Sequence, residues 1–421
     1  MAKKSASELF DRKHETQYQV LFRVDLSPAD RQLATDYHNP KCPLSRFVGN
    51  EKARARLSRA AYGMWAKSNH QGGDQAFALI GNASTGKTTL AKLFAETVAL
   101  PYIDIQPKAV QNTVDVLECF ANVLDAYTLP SVHGRMATMR LTPDAQREFV
   151  LPPTIAHIDE VHALPNKLVQ ALLKATEPKD GILAVGDGFT VDCRNVCWII
   201  STTDRGLLFD AFDTRFRKIF LHPYNREEVA EIVRCNNLDW SIEVCRLVAK
   251  YCWRVPREAL AFAADMRGEN ELQHGKMNWE QVAAIVARDN EIDLYGMTRQ
   301  RLNILVALGQ QGAIPRGRLC FYAGCKEEEL VKFMMPPLLV ATESDPALVA
   351  VTSQGYSITM AGLYELDKRK IPHLEASEVV KIDVPALNFG DYNAEDFGDA
   401  EAAKPAGLGG PSLLEWSPTN E

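Results

Sequence analysis

Between Pro43 and about residue 223, short apolar runs alternate with stretches whose apolar residues recur every three or four positions. Four runs predict buried strands: FALIG (77–81), PYIDI (101–105), TIAHID (154–159) and VCWIIST (196–202). The segment FVGNEKARARLSRAAYGMWAK predicts an amphipathic helix, and another helix is expected to start at Gly86. Strands that alternate with helices imply an α/β fold: a parallel sheet with helices on both faces. A Pro-, Met- and Arg-containing stretch at 125–152 interrupts this pattern without a readable period. From about Asn225 to Asp289 the periodicity is helical throughout, and 292–371 predicts helices followed by a β-hairpin. Residues 1–40 are polar and mixed in charge, with a short strand expected at Gln17–Val24. No internal repeat is visible.

These patterns divide the chain into an N-terminal extension (1–40), an α/β domain (41–223), a helical domain (224–291), a second small domain (292–371) and a tail (372–421). Charge sharpens the last boundary. The 421 residues carry a formal charge of −7, but the segment from Pro372 to Glu421 has ten acidic and two basic residues. That tail therefore holds −8 and leaves +1 for the rest. It lacks period and is rich in Pro and Gly, so disorder is expected. Phe389, Tyr392, Phe397, Leu413, Leu414 and Trp416 leave two readings open: a solvated tail, or one that binds a partner or mimics DNA. Whole-chain acidity alone would argue against nucleic acid; its confinement to the tail removes that objection.

No apolar run approaches the length of a membrane span, and the opening MAKKSASELFDRKHE has no apolar signal core. Nine cysteines form no CxxC pair, which suits reduced thiols and a cytoplasmic protein.

The strongest chemical signal is Gly81-Asn-Ala-Ser84-Thr85-Gly86-Lys87-Thr88, a GxxxxGK[ST] pattern followed by Thr89. The glycines let backbone N–H groups curl around phosphate oxygens at a helix N-terminus. Lys87 is then expected on the β- and γ-phosphates of ATP, and the Thr88 hydroxyl on Mg²⁺. The strand TIAHI runs into Asp159-Glu160. Asp159 is the second expected metal ligand, and Glu160 the residue that polarises the attacking water. His157 reads as a core histidine and His162 as structural. The strand VCWIIST ends in Ser201-Thr202-Thr203-Asp204, where Thr203 is the candidate γ-phosphate sensor. Arg215, in FDTRFR, is a candidate only because of the company of the earlier motifs.

FVGNE, GNASTGKT, HIDEVH, IISTTD and the DTRF arginine occur in the order of an AAA+ ATPase, which the chain resembles. Within that superfamily it is most similar to the RuvB-type Holliday-junction branch-migration family. The carriers are NPKCPLSRFVGNEKARARL, STTDRGLLFDAFDTRFRKI, Arg254-Val-Pro-Arg257 and GCKEEELVKFMMPPLLVA (324–341). The resemblance runs from about Asn39 to Leu366. It implies that Phe47 and Val48 pack on adenine, that Arg215 completes a neighbour's site, and that Arg257 reaches the nucleotide from a helical lid. It also implies a C-terminal winged helix, a hexameric ring and duplex or branched DNA as partner.

Three places depart from the family pattern. The hairpin expected at Gly181–Val191, which in that family docks the junction-binding partner RuvA, is shorter here, and this counts against RuvA-like docking. The 125–152 stretch has no counterpart. The wing turn reads Thr352-Ser-Gln354-Gly355-Tyr356 where the family has arginines; Gln354 and Tyr356 can bond phosphate but release no counterions. Arg299, Arg301, Arg316, Arg318 and Lys332 are the remaining candidate phosphate contacts. Basic and acidic residues nearly balance in 292–371, so the alternative is a RuvB-derived protein-remodelling or loader switch whose winged helix binds protein.

Overall fold

The computed structural model describes residues 27–66, 76–121, 123, 140–141, 147–177, 181–186, 189–203, 210–342 and 345–374. The strand expected at Gln17–Val24, the tail beyond residue 374, Asp204 and the Asp187-Gly188 turn lie outside them. Among the described residues no helix is long and apolar enough to cross a membrane.

Strands β1 (Phe77–Ile80), β2 (Tyr102–Ile105), β5 (Thr154–Ile158), β8 (Val196–Thr202) and β9 (Arg217–Phe220) form one sheet in the order β2-β5-β8-β1-β9. Every pairing is parallel. Both faces are covered, as the near-continuous apolar runs require. In β1, Phe77 and Leu79 join one core cluster, while Ala78 and Ile80 join the other. In β8, Cys197 and Ile199 face the first cluster, and Val196, Trp198 and Ile200 the second. The four strands read from the sequence are all present. The edge strand β9 was not among them, because its pattern from Arg217 to Phe220 buries only Ile219.

The first core cluster includes Leu90, Leu93, Phe94 and Val98 from the helix Lys87–Val98, and Leu57 and Met64 from the helix Glu51–Ala66. That second helix starts later than its sequence suggests. Gly49 (φ 67°) and Asn50 (φ 47°) turn the chain out of helical geometry, so Phe47 and Val48 precede the helix.

The 125–152 stretch does have a structural partner. Its strands β3 (Arg140–Leu141) and β4 (Arg147–Val150) join the hairpin β6 (Ile182–Gly186) and β7 (Phe189–Asp192) in a second sheet, ordered β3-β4-β7-β6. β4 runs parallel to β7, with Phe149 opposite Val191. Sequence periodicity could not reveal this, because β4 is a four-residue strand and its partner lies about forty residues away.

Four helices follow: Arg226–Asn236, Ile242–Tyr251, Pro256–Leu272 and Trp279–Asp289. Their starts are chemically marked. Asn225 with Glu228 and Asn278 with Gln281 form reciprocal capping boxes, and Ser241 caps the second helix. Their apolar faces, including Val229, Val248, Phe262 and Val286, are continuous with the first core cluster.

The C-terminal unit has its own core around Ile304, Leu308, Leu319, Leu338, Val349 and Leu363. It comprises the helices Arg299–Gln311 and Arg316–Ala323, an irregular helical segment from Glu327 to Leu339, the antiparallel hairpin β10 (Val349–Thr352) and β11 (Gly355–Ile358), and the helix Met360–Lys368. Segment 327–339 is not one straight helix: Leu330–Met334 is wound with the wider π-helical turn, and Pro336-Pro337 restart a single turn.

This packing withdraws two of the candidate DNA contacts. Arg301 is 1% exposed and donates two hydrogen bonds to Glu258, at 2.8 and 2.6 Å. Tyr356 is buried in the C-terminal core. Gln354, Arg299, Arg316 and Arg318 remain on the surface. The Arg301–Glu258 pair ties the C-terminal unit to the helix Pro256–Leu272, and its two halves are unequal. Removing Glu258 strands a buried guanidinium, whereas removing Arg301 leaves a carboxylate that is 39% exposed and can be hydrated. Glu258→Ala is therefore expected to cost about 3 kcal/mol, and more than Arg301→Met, in urea denaturation.

Candidate nucleotide site

Parallel pairing sets the C-terminal ends of β1, β5 and β8 beside one another, the position at which ligands bind in such sheets. β1 gives way to the loop 81–86. The Gly81 N–H donates to Thr202 O (3.3 Å), and a Cβ on Gly81 would lie 2.7 Å from Leu221 O, so only glycine fits. Ser84 (φ 64°) and Gly86 (φ 85°) complete the reversal. Thr85 is clamped from two sides: its hydroxyl donates to Asn82 O (2.9 Å), and Tyr224 OH donates to its carbonyl (3.0 Å). Gly86 then caps the helix Lys87–Val98, whose first N–H groups have no partner within the helix and are free for an anion.

Lys87 folds over this loop. Its Nζ donates to Gly81 O (2.7 Å) and Asn82 O (3.1 Å). Burial lowers its pKa; Glu160 and Asp159 oppose the shift, and Arg257 adds to it. The lysine therefore lies within electrostatic reach of both carboxylates and of Arg257.

Asp159 follows β5 directly. Its Oδ2 accepts from Thr88 Oγ1 (3.2 Å), while its Oδ1 accepts from the Glu160 N–H (3.1 Å) and from Ser201 Oγ. A hydroxyl and a carboxylate side by side are hard oxygen donors. This is the set Mg²⁺ takes when phosphate oxygens and water supply the remaining positions. The residues present thus fit the metal expected from the sequence.

Glu160 is held in left-handed backbone geometry (φ 51°), a conformation that costs energy for a non-glycine residue. Its Oε2 accepts from the Thr203 N–H (3.1 Å) and Thr203 Oγ1 (3.0 Å). His162 Nδ1 lies 3.3 Å from the same oxygen and 3.2 Å from Thr202 Oγ1. Thr203 and Glu160, read separately from the sequence, are thus in direct contact, and His162 belongs to their surroundings.

Arg257 lines the cavity in front of the loop, together with Asn82, Ala83, Ser84, Thr85 and Tyr224. The cavity's opposite wall is Arg254, Lys332, Phe333, Pro336, Pro337 and Val340. Lys332, expected to face DNA, therefore belongs to the nucleotide cavity. Phe47 is buried, with its ring against Gly86, and Val48 is half-buried beside it. Thr89 is exposed one residue beyond the site. Arg215 is not among these groups: it donates to Leu173 O and to Glu177 Oε1 (3.1 Å), at the end of the helix Asn166–Ala175.

Comparison with known proteins gives the same organisation. Residues 77–224 match the family model described as the ATPase family associated with various cellular activities (AAA). A curated relative, the Holliday junction branch migration complex subunit RuvB of Solibacter usitatus, is 24% identical over 311 residues, covering 70% of this chain and 81% of its own. Residues 77–224 thus form an AAA-type ATPase domain, and the chain is similar to RuvB over most of its length. Among solved structures, the Thermotoga maritima RuvB Holliday junction branch migration motor covers 78% of the chain and 97% of itself, at a TM-score of 0.57 and 20% identity. An A156S mutant of the same protein covers 79% of the chain and 98% of itself, at a TM-score of 0.59.

Sequence motifs alone missed several groups in this RuvB-like site. Tyr224 and Ser201 sit outside any charged pattern, and in Arg254-Val-Pro-Arg257 a role was expected only of Arg257. Arg254 is buried, and its Nη2 donates to the carbonyls of Pro337 and Val340 (3.0 Å for the latter). The wall at 332–340 comes from a unit some 250 residues away from the loop, and no local signal could have announced it.

Gly86 is doubly constrained: a Cβ there would lie 2.9 Å from both Phe47 Cε2 and Tyr224 OH, at a φ that disfavours any side chain. Gly86→Ala is expected to weaken binding of a fluorescent ATP analogue by at least about tenfold, with a smaller effect on thermal stability.

Proposed function

We propose that this chain is a ring-forming, ATP-driven DNA motor of RuvB type, which moves duplex DNA through its ring and so migrates branched junctions. The observation that carries the reading is the division of the arginines. Arg257 lines the chain's own phosphate cavity, whereas Arg215 is tied to Leu173 and Glu177 outside it. An arginine that does not serve its own site is available to a neighbour's, and mutual service of that kind closes a ring. The names of the RuvB relatives support the DNA substrate. In this reading 41–223 is the ATPase domain, 224–291 the lid, 292–371 a winged helix and 372–421 a separate tail.

The chemistry follows from the groups in place. The loop amides and Lys87 hold the phosphates, and Thr88 with Asp159 would hold Mg²⁺, which neutralises charge on the phosphate oxygens when bound. Glu160 orients the attacking water, and Thr203 sets the position of the Glu160 carboxylate. Arg215 from the next subunit stabilises the charge that develops in the transition state. Arg257 and Arg254 stand at the start of the helix Pro256–Leu272, between the phosphate cavity and the C-terminal unit, where a change of nucleotide is passed to the DNA-bearing part. With Arg301 buried against Glu258 and Lys332 lining the nucleotide cavity, Arg299, Arg316 and Arg318 carry the phosphate contacts, beside Gln354.

Three measurements test this. ATP hydrolysis should rise with four-way-junction or duplex DNA and fall steeply with salt; hydrolysis indifferent to DNA at low salt would refute the motor. Glu160→Gln should retain ATP while its turnover drops roughly 10²-fold or more. Arg215→Ala and Lys87→Ala, each inactive alone, should regain hydrolysis when mixed, because one subunit supplies the loop and the other the arginine. Continued inactivity of the mixture would show that Arg215 does not act between subunits.

A further inference from the structure

A file of polar side chains runs through the sheet behind the metal seat. Tyr102 OH lies 2.9 Å from His157 Nδ1, His157 Nε2 lies 3.0 Å from Ser201 Oγ, and Ser201 Oγ bonds Asp159 Oδ1. Both His157 and Ser201 are fully buried, on strands whose other side chains are mostly apolar.

The direction of each bond can be derived. Asp159 carries a carboxylate, which only accepts, so the single Ser201 hydroxyl hydrogen points at Oδ1. Ser201 Oγ must then accept from His157, which places a hydrogen on Nε2. In the neutral ring Nδ1 is a bare acceptor, and Tyr102 donates to it. Burial and the nearby Asp104 and Asp159 raise the Tyr102 pKa, which keeps that hydroxyl protonated. Asp104 Oδ1 also lies 3.5 Å from Nδ1.

We propose that His157 and Ser201 are positioning residues for the metal seat. Resting on the ATPase reading above, the proposal is that the pair fixes the Asp159 carboxylate so that Oδ2 presents to Thr88 and to Mg²⁺. The Glu160 N–H is the second donor on Oδ1, so that oxygen is fully engaged and Oδ2 alone is turned to the ligand side. Without Ser201 the carboxylate keeps one anchor and can swivel about it, which weakens its alignment with Thr88. Neither His157 nor Ser201 touches nucleotide or metal; each acts through Asp159.

The test uses the full chain and two readouts. One is the Mg²⁺ concentration that gives half-maximal ATP hydrolysis. The other is Mn²⁺ binding, followed by electron paramagnetic resonance in the presence of a non-hydrolysable ATP analogue. Ser201→Ala is expected to raise the metal requirement by about tenfold in both, while metal-free nucleotide affinity and melting temperature stay close to wild type. His157→Leu should do the same, and His157→Gln, whose amide N–H can replace the imidazole donor, should restore most of the loss. In an Asp159→Ala background, Ser201→Ala should add nothing. Folded Ser201→Ala and His157→Leu proteins with wild-type metal dependence in both readouts would overturn the proposal. A wild-type chain that neither binds nor hydrolyses ATP would instead refute the ATPase reading itself.

Discussion

Parallel hydrogen bonding between β5, β8 and β1 is the constraint on which the rest depends. It forces the C-terminal ends of three strands to emerge together, each carrying a different chemistry: the phosphate loop after β1, Asp159-Glu160 after β5, and Ser201-Thr202-Thr203 at the end of β8. A one-residue slip of β8 against β5 would turn Ser201 to the opposite face and bring Ile200 or Thr202 toward Asp159 in its place. The dense aliphatic packing on both faces makes such a slip costly, so the apolar core is what holds the polar site in register.

The site is built with strain and with few redundant groups. Ser84, Gly86 and Glu160 all occupy left-handed backbone geometry within one small region. The loop is shaped by contacts from outside it, with Phe47 pressing on Gly86 and Tyr224 bonding Thr85. Glu160 is held by Thr203 from the neighbouring strand and accompanied by His162. These supports come from segments far apart in sequence, which is why a short loop can hold an unfavourable conformation.

The C-terminal unit is also part of this architecture. Trp253 and Arg254, both at positive φ, reach the carbonyl of Pro337, and Arg301 clasps Glu258. The irregular helical segment from Glu327 to Leu339 thereby presents Lys332 and Phe333 to the nucleotide cavity. Its π-helical turn and its paired prolines account for the departure from a straight helix.

The sequence by itself determined what depends on local pattern: four of the five strands of the main sheet, the helical run after Asn225, and the motifs that hold Lys87, Thr88, Asp159, Glu160 and Thr203. Each is a periodic apolar signal or a motif with fixed spacing, and such signals survive without knowledge of the fold. Only the tertiary structure decided what depends on distant segments meeting. It paired the 125–152 stretch with the hairpin and made β9 the sheet's edge. It buried Arg301 and Tyr356, away from the role of phosphate contact, and set Lys332 along the nucleotide cavity, paired with Glu328. It also made His157 and Ser201 part of one hydrogen-bonded file, whereas in the linear chain they are a core residue and a strand-end hydroxyl 44 positions apart. Charge and residue type are visible in a sequence, but the direction in which a side chain is buried is set by whatever packs against it.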